Sequence, residues 1–500
     1  MKKLFSLLLG LVMVFAACSA FADTVSFSMT SYNTITGADY TSDAFYQYIA
    51  KKFDVNIDIW GNEAKSADEK EHLWMNGGTM PDAMIWEKFN YGEYLSYVDQ
   101  GLLKPLPDGW QEKWPNLAKM VNVSNLASAL EIDGKTYAIP HAVFGNYLNM
   151  SPIPAHFSII FRYDLAKEVG MENLGADGTI KLSELRAYLE ALADKKLIDN
   201  AAIASKAENS IWCFLLPNGV DPNTYYKDEK GFHWIFEDAD RMVGAITMMQ
   251  DWYKAGLLDA DFYTKACADY RTMFGAGQLA AMCDSGDVVN YNNYRKLYQD
   301  AFPDRDPYED IHIAAIVAED GTCYTHEAGN YWTVHVFAPE TDDAKLERIL
   351  DVMDYIASPE GGAASQIGVP GVDWEYNEDG TIKLINSGVQ YPSMDALYLL
   401  GYCSDDFAYS GAKGSLDNRN VEEVKRIYAI KNAGKLFPYD MQYNTYSSTL
   451  RSNYSLNTNG ILSEIVVSGA DVKTALEKYA KDNEQVWKPL QDEMNAYYGY

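Results

Sequence analysis

Residues 77–103, GGTMPDAMIWEKFNYGEYLSYVDQGLL, constrain this chain more than any other stretch. Two glycines and a Pro-Asp pair make a turn, a short apolar run ends at Trp86, and a tyrosine-rich segment of helical character closes on Gly-Leu-Leu. In that order they describe one strand of an α/β sheet, with its carboxyl end delivering an aromatic ring and polar groups to the rim where such sheets place ligands. The surroundings follow the same grammar. Residues 25–30 and 55–60 alternate as strands, 42–53 carry apolar residues at helical spacing after a capping Thr41 or Ser42, and 67–75 make a helix before the strand 82–86. Repeated strand-helix-strand units imply a mainly parallel sheet flanked by helices, with right-handed crossovers.

The amino terminus is an export signal. Met1-Lys2-Lys3 is a basic head, residues 4–17 an apolar core too short to span a bilayer comfortably, and Ala20-Phe21-Ala22 a small-x-small cleavage site before Asp23. Phe15-Ala16-Ala17-Cys18 imperfectly matches a lipoprotein box, and a lipid on Cys18 would tether the chain. The short spacer to the strand at residue 25 favours cleavage after Ala22, because a tethered protein needs a flexible linker.

Removing 22 residues leaves 478, more than one hydrophobic core usually supports, so two lobes are expected. Those residues hold 39 basic against 71 acidic side chains, a formal net charge of −32 that excludes nucleic acid as a partner. The later cysteines, Cys213, Cys267, Cys283, Cys323 and Cys403, are odd in number and have no paired spacing, so neither a disulfide framework nor structural zinc is indicated. Cys267 and Cys283 are the least implausible pair.

The 77–103 segment resembles the extracellular solute-binding proteins of ABC importers, family 1, the group that includes maltose and oligosaccharide binders. A Gly-x-x-Pro-Asp turn, an aromatic five residues after the proline and a later Gly-Leu-Leu correspond to Gly78, Pro81, Asp82, Trp86 and Gly101-Leu102-Leu103. Further segments follow in the family's order: DGKTYAIP at 133–140, IFRYDL at 160–165, WYKAGLL at 252–258, FGAGQLAAM at 274–282, and SPEG with GVPGV between 355 and 380. The resemblance implies a two-lobe periplasmic-binding-protein-like α/β fold, each lobe a mainly parallel sheet, joined by a multi-strand hinge. The expected division is 23–140 and 329–390 in lobe one, and 145–320 and 391–500 in lobe two.

The implied function is that of a receptor, not an enzyme: it holds an oligosaccharide between closing lobes and hands it to the permease. No cofactor is expected, and the protein is expected to act as a monomer. With 37 Tyr and 11 Trp the chain is rich in rings that suit the apolar face of a pyranose. The expected ligand residues are Trp60, Trp86, Tyr147, Tyr331 and Trp332 for stacking, with Asn90, His141, Asn146, Asp284, Asp287 and Asn330 as polar partners. Maltose binders carry charged sugar ligands after the tryptophan; Phe89 and Asn90 stand here, so the sugar itself is not implied.

Three alternatives stay open. Residues 173–184 partly follow a calcium loop, with Asn173, Asp177 and Glu184 at ligand positions but Gly175 and Lys181 at two others, which weakens binding severely. A secreted glycoside hydrolase would also combine aromatics with carboxylates, although no GxSxG, HExxH or phosphate-cradling glycine motif is present. A non-sugar solute is the remaining alternative.

Overall fold

The structure, a computed structural model, describes residues 24–63, 65–142, 157–327, 331–378, 380, 382–386, 389–397, 400 and 418–500. The signal segment with Cys18, and the expected ligand residues Asn146, Tyr147 and Asn330, lie outside them.

Ten strands build two sheets: β1 (Val25–Met29), β2 (Val55–Ile59), β3 (Ala83–Trp86), β4 (Ala138–Ala142), β5 (Ser158–Arg162), β6 (Thr179–Lys181), β7 (Ile203–Ala204), β8 (Ala281–Asp284), β9 (Ile311–Val317) and β10 (Tyr331–Phe337). The first sheet has the order β2-β1-β3-β10-β4 and the second β6-β9-β5-β8-β7. In the first, β1 runs parallel to β2 and β3, while β10 is antiparallel to both β3 and β4. In the second, β6 parallels β9, β7 parallels β8, and β5 opposes both β9 and β8. Four strands of each sheet therefore share one direction and a single strand opposes them. The opposing strand is in both cases the one by which the chain enters that sheet from the other.

Both faces of both sheets are covered. Along β9, Ile311, Ile313, Ala315 and Val317 enter one core cluster while Ala314 and Ile316 enter another, the period-two alternation of a strand. In the first sheet Ala83, Ile139 and Phe337 face one cluster, and Met84, Trp86, Val334 and Val336 the opposite one. Strands sandwiched in this way read as continuous apolar runs, which is why AMIW and SIIFR show no polar alternation.

The helix Asp343–Ala357 illustrates the flanking layer. Asp342 caps it by accepting from the Lys345 N–H at 2.8 Å, and Leu346, Ile349, Leu350, Met353 and Ile356 form its buried stripe. It stops at Ser358, which caps the next helix, Pro359–Ile367. On its other side Asp354 accepts from the backbone N–H groups of Asn116 (2.8 Å) and Leu117 (2.9 Å), satisfying the otherwise orphaned start of helix Pro115–Asn122. Truncating Leu350, wholly buried here, would cost about 2–5 kcal/mol.

One local expectation is corrected. Helix Ala44–Phe53 is capped by Asp43, not Thr41 or Ser42; the Asp43 carboxylate accepts from Tyr46 N–H and also from the hydroxyl and N–H of Ser393. Beyond residue 391, Met394, Leu397 and Leu400 pack in the core cluster of the first sheet. The helix Asn418–Asn432 then lends Val424 and Ile427 to the second lobe. The four described cysteines are free, Cys267 and Cys283 included.

Candidate functional site

Because β10 and β5 oppose their neighbours, their amino ends lie at the edge where the other strands have their carboxyl ends. That edge of the first sheet gathers Tyr32 after β1, Trp60 after β2, Glu87 to Asn90 after β3, His141 on β4, and Tyr331-Trp332 at the start of β10. The matching edge of the second gathers Asp284 at the end of β8, Ser205 and Lys206 after β7, and Phe157-Ser158 at the start of β5. Ligands of open α/β sheets bind at such edges.

Contacts show that the two edges face each other. The charge of Arg271, on the second-lobe helix Cys267–Gly275, reaches the phenol of Tyr32: burial and the neighbouring Glu87 raise that phenol's pKa, and Arg271 opposes the rise. The hydroxyls of Tyr331 and Tyr439 meet at 2.9 Å, and Met441 packs into the first-lobe cluster around Trp86 while Tyr443 packs into the second-lobe core. Gly92 lies so close to this segment that a Cβ there would stand 3.2 Å from Ser447 Oγ and 3.8 Å from Ser452 Oγ.

Trp332 is the most available of the expected rings. It is 38% exposed and packs edge-on against Tyr32, with ring centroids 4.7 Å apart, and near His141 at 6.4 Å. Trp60 is partly buried; its indole N–H donates to Asp58 at 2.8 Å and its ring meets Trp74. Trp86 differs from expectation. It is 0% exposed, ringed by His72, Phe89 and Tyr97, and its indole N–H has no hydrogen-bond partner. The reason lies in its strand: all four residues of β3 are buried, so the last side chain turns into the helical layer and not out of the rim.

The expected polar partners are largely engaged with the protein. Asn90 caps helix Tyr91–Asp99, accepting from Glu93 N–H at 3.1 Å. His141 is 1% exposed and pairs in register with Thr333. Asp284 receives Arg271 at both oxygens, at 2.6 and 3.1 Å, as well as the N–H of Ser285. Asp287 accepts from the Ser285 hydroxyl and from Asn290 N–H at the start of the next helix. Gly286 between them is required by close approach, since a Cβ would stand 2.7 Å from Ser158 Oγ. Both carboxylates are thus held by donors of the same lobe.

Sequence reasoning missed Tyr32 and Arg271. Tyr32 was within reach, because it follows the carboxyl end of a strand that the alternation identifies. Arg271 carries no local signal, as only the fold brings its helix beside Asp284. Beneath this edge, Ser31 Oγ and Thr333 Oγ1 are buried without a hydrogen-bond partner, and both belong to strand ends that face the cleft.

Below the rim, the buried Glu71 accepts from Asn62 Nδ2 at 2.8 Å and from Glu87 N–H at 2.9 Å, tying the loops that follow β2 and β3. Burial pushes its carboxyl up to about 7. No group of residues able to hold a metal occurs among the described residues. In the loop that partly followed a calcium pattern, Asp177 accepts from the N–H and hydroxyl of Thr179, and Glu184 caps its helix by accepting from Lys181 N–H. No helix among the described residues is long and apolar enough to cross a membrane.

Residues 37–363 match the family described as bacterial extracellular solute-binding protein. No protein of curated function matches the chain. Among solved structures, the alginate-binding protein AlgQ2 without calcium ion superposes with a TM-score of 0.68 at 15% identity, covering 96% of this chain and 99% of that one. The ABC-transporter substrate-binding protein FusA of S. pneumoniae, in complex with kestose, gives 0.64 at 14% identity over 95% and 99%. The N-glycan transport solute-binding protein of Streptococcus pneumoniae, in complex with Man1GlcNAc, gives 0.56 at 13% over 95% and 100%. Two opposed sheet edges with a cleft between them are the architecture these proteins share, and the family match covers well over half of the sequence. The chain belongs to the bacterial extracellular solute-binding protein family.

Proposed function

We propose that this protein is the receptor of an ABC sugar importer and captures an oligosaccharide between its lobes. The observation that carries this reading is what stands at the two sheet edges: the exposed Trp332 beside Tyr32 on one, and Arg271 held by Asp284 on the other. An indole face suits the C–H surface of a pyranose, and a guanidinium offers donors to hydroxyls or ring oxygens. Proteins of the same fold that bind alginate, kestose and Man1GlcNAc support a saccharide as the ligand class.

Residues 23–140 and 329–400 form one lobe in this reading, and 145–320 with the chain beyond 400 form the other. Sugar docks on one lobe, and the other rotates over it. Closure is favoured only to the extent that the closed form contacts the ligand better than the open form does. The permease then recognises the closed pair of lobe surfaces. The protein acts outside the cytoplasmic membrane as a monomer, released after Ala22 or tethered through Cys18; the mass of the mature amino terminus distinguishes the two.

The test is a calorimetric screen of purified mature protein against neutral oligosaccharides, joined to solution scattering. Stoichiometric binding with compaction and no new reducing ends supports a receptor. Turnover would instead indicate a glycoside hydrolase, and absence of binding to every saccharide would indicate a different solute.

A further inference from the structure

A second concavity lies on the second lobe alone. Its volume is about 470 Å3, and its lining includes Tyr263, Asn457, Asn459, Ser463 and Glu464, with Ala207 at one wall. Its place follows from the topology. Leu258 bridges in parallel to Ile203 of β7, so the chain after each, to Tyr263 and to Ala207, emerges at the carboxyl edge of the second sheet. The same edge carries Asp284, and the connection between them is direct. Ser205 Oγ donates to the carbonyl of Cys283 at 2.6 Å, and Asn209, on the helix that begins at Ala207, donates to that carbonyl at 3.2 Å. The helix that starts at Ala207, at the wall of the concavity, is thus tied to the strand that ends at Asp284.

Its chemistry is that of a saccharide site. Tyr263 is 46% exposed and presents its ring to the opening. Asn457 spends its carbonyl oxygen on capping the helix Thr458–Ser468, and Ser463 donates to the carbonyl of Asn459 at 2.8 Å. The amide of Asn459 and the carboxylate of Glu464 remain for a ligand. Among the described residues no lysine or arginine lines it, so an anionic ligand finds no counter-charge from them. A volume of this size lies within the roughly 300–1,000 Å3 of small-molecule sites.

The geometry points to an outer subsite: this pocket takes the uncharged end of an oligosaccharide whose body lies between the lobes, with Tyr263 stacking on a ring and Asn459 and Glu464 bonding its hydroxyls. This rests on the functional reading above and extends it, since it commits the protein to a ligand longer than the cleft alone would need.

The experiment compares Tyr263→Ala, Asn459→Ala and the cleft variant Trp332→Ala with the wild-type mature chain by titration calorimetry. The probes are matched pairs of short and long neutral saccharides: Man1GlcNAc with Man5GlcNAc, kestose with nystose, and chitobiose with chitohexaose. The expected result is that the two pocket variants weaken the long member of the binding pair by about tenfold and leave the short member unchanged, whereas Trp332→Ala weakens both. Equal affinity of wild type and pocket variants for the long member would overturn the subsite while leaving the cleft reading intact. Equal loss of both members in the pocket variants would overturn it too. If wild type bound none of the six, the functional reading would fall and the subsite with it.

Discussion

Glu71 makes the protein's stability depend on pH in a direction opposite to that of most acidic residues. Its side chain is 0% exposed, and burial lifts its carboxyl from the usual range to about 7. The folded protein therefore holds this proton more tightly than the unfolded chain does. The stabilisation is complete below about pH 4.5 and is lost as pH rises through 7, amounting to on the order of 3 kcal/mol over the whole window. The wild-type profile alone does not isolate this effect, because the buried His335 acts in the other direction. Burial, then the nearby His141, lowers the His335 imidazole to about 3, so protonation destabilises the fold as pH falls below 6.5. Glu71→Gln separates the two. The variant places an amide N–H against one of two N–H donors, Asn62 or Glu87, and loses about 1 kcal/mol at acid pH for that hydrogen bond. It has no proton to lose at high pH. Urea unfolding of both proteins at pH 5 and pH 8 should show the stability difference moving in favour of the variant by about 2–3 kcal/mol. Parallel profiles, with a difference constant across that window, would refute the argument.

Other expectations can be checked with the same material. Trp332→Ala should lower saccharide affinity by about tenfold with little change in the melting of the free protein, as scored by calorimetry and thermal denaturation, because its ring is exposed. Trp86→Ala should do the reverse in its first effect, costing about 3–5 kcal/mol in urea unfolding, since the ring is fully buried. Millimolar calcium should leave the melting temperature unchanged, because Asp177 and Glu184 are occupied by backbone N–H groups; a rise would show that the loop rearranges to bind. Tyr439→Phe removes the hydroxyl pair with Tyr331 and should shift the scattering profile of the free protein toward a more open form.

Much of the scaffold was legible because it is local. The strands at 25–30, 55–60 and 82–86 follow from alternation and turn chemistry, and each was found to within a residue or two. The helix Leu182–Lys195 was visible in its leucine stripe, all of which is buried. The site was less legible, for a physical reason. A tryptophan ending an all-apolar strand has the same letters whether its ring points into a helical layer or out of the rim, so Trp86 looked like a ligand residue. Likewise the letters around Asp284 do not reveal that Arg271, on a separate helix, binds its carboxylate. The resemblance to a known family settled the architecture, whereas side-chain availability required the packed molecule.

The opposing strand of the first sheet governs how the chain can be made. β4 pairs only with β10, and one flank of β3 waits for β10 as well, so nearly two hundred residues separate β4 from the segment that completes its ladder. A nascent chain emerging from its translocation pore presents two unfilled ladder edges until that segment arrives, and such edges template aggregation. An expression fragment ending before Tyr331 would carry the same defect permanently. The first sheet can then not be produced as an uninterrupted piece of this gene product; it would need its late strand spliced on by a permuted or fused design, whereas all five strands of the second sheet lie within residues 158–317.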